Sequence, residues 1–237
     1  MNDLVIKCGP TEFDHVALGT HDTQKGVAWL ANLTGAEPVI TEPEPGQWYW
    51  SAALPLNDGA MLEMLGPNPD HRGFHPLKAL LARFQAPEPF FWHVATSDLG
   101  RFVAAVKQAG APVERIEHLD SETPDGRRTY SRGVVGPGFR TVRPCVIQWI
   151  SKVDRPGLRR PLCRATGFAL RCPKPDRLNR VLEAIGLQLR ATDGPQRLDL
   201  ALDTPKGPIK IAGPGVVFEG LGAIAQFAQL RFASMLR

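Results

Sequence analysis

The sequence repeats itself, and repetition constrains a fold more tightly than any other feature of a single chain. Three segments open on a strand-like phrase and run on into a helix-like one. They are "HVALGTHD" at 15–22, "HVATSD" at 93–98 and "GFALRCPKPD" at 167–176. Each is followed by further strand-like stretches. The closing stretches are "MLEMLGP" at 61–67, "VIQWISK" at 146–152 and "PIKIAGP" at 208–214. A strand, a helix and then strands, three times over, predicts an α+β chain of tandem βαβββ modules. The expected bounds are 11–68, 88–152 and 163–214, the third being a degenerate copy. A C-terminal helix is expected over 218–235, where Leu221, Ile224, Ala225, Ala228 and Phe232 recur at helical spacing.

Local signals support the first unit. "DTQKGVAWLANLTG" at 22–35 has Val27, Leu30 and Ala31 at helical spacing. Asp22 or Thr23 is placed to cap it, and Gly35 to end it. "GQWYWSAALPL" reads as a strand, "NDG" at 57–59 as a turn, and "AMLEMLGP" as the returning strand. A short strand near Val39 completes the module.

The repeat allows positions to be compared within one chain. In the opening strands His15 matches His93, and both match Gly167. In the closing strands Glu63 matches Gln148 and Lys210. Two units therefore carry a polar pair at the same two places, and the third carries Gly and Lys. Strand side chains alternate between faces. If the first and last strands of a unit are neighbours, His15 and Glu63 point into one concavity, and His93 and Gln148 into the same one. A lone strand histidine is more often a hydrogen-bonded core residue than a ligand. Recurrence shifts that balance, and a buried carboxylate such as Glu63 needs a cation, a metal or a proton. Two imidazoles, a carboxylate and an amide oxygen suit a divalent ion of the Fe, Mn, Co, Ni or Zn kind.

At these residues the chain resembles the vicinal oxygen chelate superfamily, in its glyoxalase-like branch. The resemblance rests on "FDHVAL" at 13–18, "LPLNDGAMLEMLGP" closing the first unit and "PCVIQWI" closing the second, and it covers about residues 11 to 214. It implies paired modules curled into a half-barrel, with metal ligands at His15, Glu63, His93 and Gln148. It also implies a metal-dependent enzyme of lyase/isomerase or dioxygenase type, acting on a small oxygenated substrate through a metal-stabilised oxyanion. Glu63 is then a ligand or, once released, a base. Gln148 departs from the second carboxylate of many members. The alternative on the same fold is a metal-free small-molecule binding protein.

Further residues are candidates for contact with a substrate. Trp48 and Trp50 alternate along one strand and offer an apolar wall, although core packing is the commoner use of such a stripe. Arg128 and Arg132 lie four apart on a strand and share a face with Tyr130, so an anionic substrate group can be held there. Trp92 and Trp149 are expected on the opposite side, in the core.

Composition narrows the remaining classes. A hydrophobic fraction of 43% with 22% charged residues is that of a soluble globular protein. No run is long and apolar enough to span a bilayer, and "MNDLVIKCGP" lacks the pattern of a signal peptide, so a cytoplasmic protein is expected. The four cysteines show no CxxC pairing. Net charge is +4, and the basic stretches "GRRTYSRGVVGPGFRTVR" and "DRPGLRRPLCR" come with no nucleic-acid motif. Phosphate-binding loops and nucleophile elbows are absent. The expected partners are a small-molecule substrate and a second copy of the chain in a homodimer, with neither nucleic acid nor membrane.

Overall fold

The structure is a computed structural model of the chain, describing residues 7–8, 11–43, 46–123, 126–135, 142–151 and 161–213. The expected helix at 218–235 lies outside the described residues.

The first unit contains β2 (Thr11–Gly19), α1 (Thr23–Thr34), β3 (Val39–Thr41), β4 (Tyr49–Pro55) and β5 (Met61–Pro67). A two-residue strand, β1 (Lys7–Cys8), precedes it and pairs with β2. The sequence signals act as expected: the Asp22 side chain accepts from Lys25 N, and Gly35 closes the helix at φ 75°. Only glycine adopts that left-handed conformation without steric cost.

The second unit follows a short helix, α2 (Pro76–Leu81). It contains β6 (Glu88–Thr96), α3 (Leu99–Gln108), β7 (Val113–Thr123), β8 (Gly126–Val135) and β9 (Cys145–Trp149). The two units share one strand order. Their strands form a single sheet ordered β3-β4-β5-β2-β6-β9-β8-β7. Within each unit the first and last strands pair parallel, β2 with β5 and β6 with β9. The units join along β2 and β6, which pair antiparallel with His15 directly opposite His93. The fold is mixed α+β, with two paired units of the βαβββ kind that the repeat predicts.

The third unit contains β10 (Arg164–Arg171), α4 (Asp176–Ala184), β11 (Ala191–Thr192), β12 (Arg197–Thr204) and β13 (Gly207–Gly213). It keeps the order of elements but not their pairing. Its separate sheet runs β11-β10-β12-β13, so the first strand lies beside the third rather than the last. This unit is therefore not a strand-for-strand copy of the other two.

One face of the large sheet is covered by α1, α3 and the third unit. Val16, Leu18, Leu62, Met64, Trp92, Val94 and Val146 point there and are buried in a core shared with Phe168, Leu200 and Leu202. Phe168 packs against Phe13 and Trp92, with ring centroids 5.3 and 5.1 Å away. Trp92 is fully buried as expected, and its Nε1 donates to Val142 O at 2.8 Å. The Asn57 side chain accepts from Ala165 N at 2.8 Å and fastens the third unit to the turn of the first. The opposite, concave face carries the polar residues. At one end α2 closes it: Leu80, Leu81 and Phe84 form a second apolar cluster with Ala17, Leu65 and Phe90. Gly19 permits this approach, because a Cβ there would lie 2.9 Å from Leu81 and Phe84 atoms.

Candidate functional site at the module junction

Strand register decides which side chains reach the concave face. His15 pairs with His93 on one side and with Met61 on the other, which places Glu63 two residues along the same face of β5. The two imidazoles stack, with centroids 4.1 Å apart and planes inclined by 27°. Glu63 Oε2 lies 3.6 Å from His15 Nε2. His15, His93 and Glu63 thus come together at the junction of the two units.

Gln148 does not join them. Parallel pairing sets His93 against Cys145 and Ala95 against Ile147, so Cys145, Ile147 and Trp149 share the face of His93. Gln148 lies on the other face, beside Val146, and its Nε2 donates to Ser97 O at 2.9 Å. The residue equivalent to Glu63 is Ile147, because each lies opposite the position two beyond its histidine. Matching Glu63 to Gln148 is a slip of one residue, and in a strand one residue reverses the face.

Trp149, expected in the core, is the residue that reaches the site. Its Nε1 donates to Asp14 Oδ2 at 3.0 Å. The other Asp14 oxygen accepts from His15 Nδ1 at 2.6 Å. Simple alternation would send Asp14 and His15 to opposite faces. A register shift between Phe13 and His15 breaks the alternation and turns Asp14 toward its neighbour. Such bulges re-aim side chains next to functional sites. Asp14 is wholly buried, yet both of its oxygens are engaged. With Nδ1–H bonded to the carboxylate, the lone pair of His15 Nε2 faces Glu63.

His93 has no such support. Its Nδ1 is buried without a hydrogen-bond partner. Burial, and then the neighbouring His15, push the His93 imidazole well below its ordinary range, so it is neutral near pH 7. Burial pushes Glu63 upward, opposed by the adjacent His15 and by a hydrogen bond from Ser51. Burial also pushes the Cys145 thiol up to about 12, which keeps it protonated. Cys145, Cys163 and Cys172 are all free thiols.

The candidate substrate residues divide. Tyr130 and Arg132 pair with Trp149 and Ile147 and lie on the concave face. The Tyr130 and Trp149 rings pack at 5.2 Å. Arg132 donates through Nε to Glu117 Oε2 at 3.0 Å, and its Nη2 is 3.0 Å from the same oxygen. Arg128 is on β8, but its side chain lies outside the described residues. The two tryptophans do not form one wall. Trp48 precedes β4, stacks on His75 at 4.1 Å and joins the apolar cluster under α2. Trp50 lies opposite Gly66, on the α1 side of the sheet. It lines a separate groove of about 670 Å³ with Thr23, Phe74, His75 and Lys78. Among the described residues, no group of three or more His, Cys, Asp or Glu side chains is placed so as to hold a metal ion as it stands.

The glyoxalase-like domain model matches residues 13–161, which is most of the chain and spans both units of the large sheet. The chain belongs to the glyoxalase-like domain family. No curated protein matches this family member significantly. One solved structure shows the same fold, and two others align over part of the chain. A hypothetical protein from Staphylococcus aureus superposes with a TM-score of 0.59 at 9% identity, covering 78% of this chain and 86% of that one. A methylmalonyl-CoA epimerase from Streptomyces coelicolor aligns at 19% identity and a TM-score of 0.44, covering 59% and 97%. The corresponding epimerase from Mycobacterium tuberculosis gives 13% and 0.40, covering 63% and 91%.

Proposed function

We propose that the concave face of this glyoxalase-like protein is the active site of a divalent-metal enzyme acting on a small oxygenated substrate. The observation that supports this most strongly is the meeting of His15, His93 and Glu63 across the module junction, with Ile147 at the fourth equivalent place. Two imidazoles and one carboxylate form the donor set typical of non-haem Fe(II) oxygenases, which leave three positions free. Of the two reaction types open from sequence, this set fits the dioxygenase type.

The chemistry of the residues suits a cation, although the three side chains would have to shift to hold one. His93 is neutral and its buried Nδ1 lacks a partner, so an electron-pair acceptor would satisfy it. Asp14 holds His15 as carboxylates hold ligating histidines elsewhere. Glu63 supplies the negative charge. A bound metal would act as a Lewis acid on a substrate oxygen. The chain's own contributions are distinct from that. Asp14 and Trp149 fix the orientation of His15. Glu63 Oε2 can hold a proton, because burial raises its affinity for one. The α2 cluster shuts water out at one end of the concavity.

The test is anaerobic reconstitution with Fe(II), followed by nitric oxide and electron paramagnetic resonance. One iron per chain and a nitrosyl signal of spin 3/2 are expected. Absence of iron uptake would favour the second reading, a metal-free binding protein. The close stacking of His15 on His93 favours that reading, since stacked rings can serve as a hydrogen-bonding platform for a ligand.

A further inference from the structure

The two halves of the concavity are built on the same strand order but carry their charged residues at different places. In the first unit, Glu63 on β5 lies opposite Ala53 on β4. In the second, Ile147 on β9 takes the place of Glu63, and Arg132 on β8 takes the place of Ala53. The carboxylate of one half is thus replaced by an apolar residue, and a guanidinium appears one strand further out. A Glu-for-Glu duplication would have made the concavity doubly acidic. The actual exchange polarises it, with the Glu63 carboxylate on the side of the first unit and a guanidinium, held by Glu117, on the side of the second.

We infer that this polarity selects a small organic anion, with its carboxylate on Arg132 and its reacting end at His15, His93 and Glu63. The inference rests on the concave face being the substrate site, and it names the class of substrate. Three observations support it. First, Arg132 is placed to bind: its side chain is 46% exposed, and it stands two strand spacings across from Ala95, two residues along β6 from His93. The spacing and the offset together make about 12 Å between backbones, room for a small aromatic acid between the side chains. Second, Glu117 engages Nε and Nη2 through a single oxygen, Oε2. An arginine has five N–H donors, so this grip orients the fork and leaves three for a ligand. Third, the intervening surface suits a flat apolar body. Ile147 is almost fully buried, the Tyr130 and Trp149 rings pack together, and Phe91 meets His93 edge-on at 5.1 Å. A neutral substrate would gain nothing from Arg132, and a dianion would meet Glu117 and Glu63.

The experiment compares benzoate with benzamide, which share a shape and differ in charge. Binding to the full chain is followed by calorimetry and by NMR, with and without Mn(II). Wild type should bind benzoate at least about tenfold more tightly than benzamide in both conditions. Arg132→Met should remove the preference, and Arg132→Lys should restore part of it, because a point charge replaces the fork. Circular dichroism and the thermal midpoint confirm that each variant is folded. Equal binding of the two probes by wild type would overturn the inference. So would a preference that survives Arg132→Met, or no binding of either probe at 20 mM, roughly the weakest affinity a single charge-assisted contact would leave. A preference that holds without Mn(II), in a protein that takes up no metal, would leave the anion site standing and remove the metal reading alone.

Discussion

The first and second units have the same strand order and the same pairings, yet they do different things with them. The first supplies a histidine braced by a buried carboxylate, and a second carboxylate, Glu63, beside it. The second supplies a histidine with no brace, an isoleucine in place of Glu63 and an arginine in place of Ala53. A duplicated backbone thus provides equivalent positions, and side chains at three of them divide the labour. On the proposed reading, the charged ligand comes from the first half, the guanidinium that recognises the substrate from the second, and each half gives one histidine. The third unit, with a different strand order and Lys210 bound to Asp199 at 3.0 Å, takes part in neither and covers the core face.

The most severe way to break this comparison is to remove the acid of the first half. Glu63→Gln should weaken divalent-metal binding by about a hundredfold or more, with an unchanged circular dichroism spectrum, because the carboxylate proposed to ligate the ion is lost while Asp14 stays committed to His15 and Trp149. Gln148→Ala should leave metal affinity within about twofold, since that side chain points to Ser97 on the other face. Metal titration of both variants measures the contrast.

Making the halves alike is the next test. Ile147 is 4% exposed, so Ile147→Glu buries a carboxylate where the second half is apolar. The metal-free variant should lose about 1–2 kcal/mol in urea unfolding, less than an unpartnered buried carboxylate would cost, because Arg132 lies opposite on β8. Added Mn(II) should restore part of that loss, because the new acid then also faces the metal.

The brace comes third. Asp14→Asn keeps the shape but removes the charge that holds His15 Nδ1–H. Loss of such a supporting carboxylate typically costs about tenfold or more in metal affinity. Nitrogen-15 NMR of the imidazoles should show His15 losing its single tautomer, with a smaller shift at the stacked His93, which Asp14 reaches only through space.

Two carboxylates should respond to pH with opposite sign. Burial raises Glu63, so the folded state holds that proton more tightly than the unfolded chain. Its contribution to stability is full below the ordinary value of 4.5 and is lost as pH rises through the folded value. Asp199 is pushed up by burial but pulled lower still by Lys210 and Arg197, so it ends below 3.8. Its contribution is full above 3.8 and is lost as pH falls through the lower folded value. Both cations are well exposed, so the Asp199 effect should be small, about 1 kcal/mol or less. Urea unfolding of metal-free Glu63→Gln and Asp199→Asn across pH 3–7 should flatten the high side in one variant and the low side in the other.

Much of this architecture was legible in the sequence, because its causes are local. Asp22 and Gly35 mark the ends of α1, and period-two alternation marks β2 and β5. The repeat exposed His15, His93 and Glu63 as equivalent or neighbouring positions. Three things were not legible, each for a physical reason. "VIQWISK" and "MLEMLGP" align by chemistry with Gln on Glu, whereas hydrogen-bond register aligns Ile147 with Glu63, and nothing within nine residues of sequence reports a register. The bulge that turns Asp14 onto His15 depends on the pairing of β2 with β6, some 80 residues away in the chain. The sheet order of the third unit depends on long-range pairing that element order does not encode.

The central claim is that two histidines from opposed strands and Glu63 form one site. A crystal of the protein soaked in Mn(II) and recorded at a wavelength where manganese scatters anomalously tests it most directly. The account predicts one strong peak per chain, within about 2.0–2.3 Å of a nitrogen of His15, a nitrogen of His93 and an oxygen of Glu63. Gln148 should remain bonded to Ser97. A peak that engages Gln148, or no peak at the junction while manganese binds elsewhere, would contradict it.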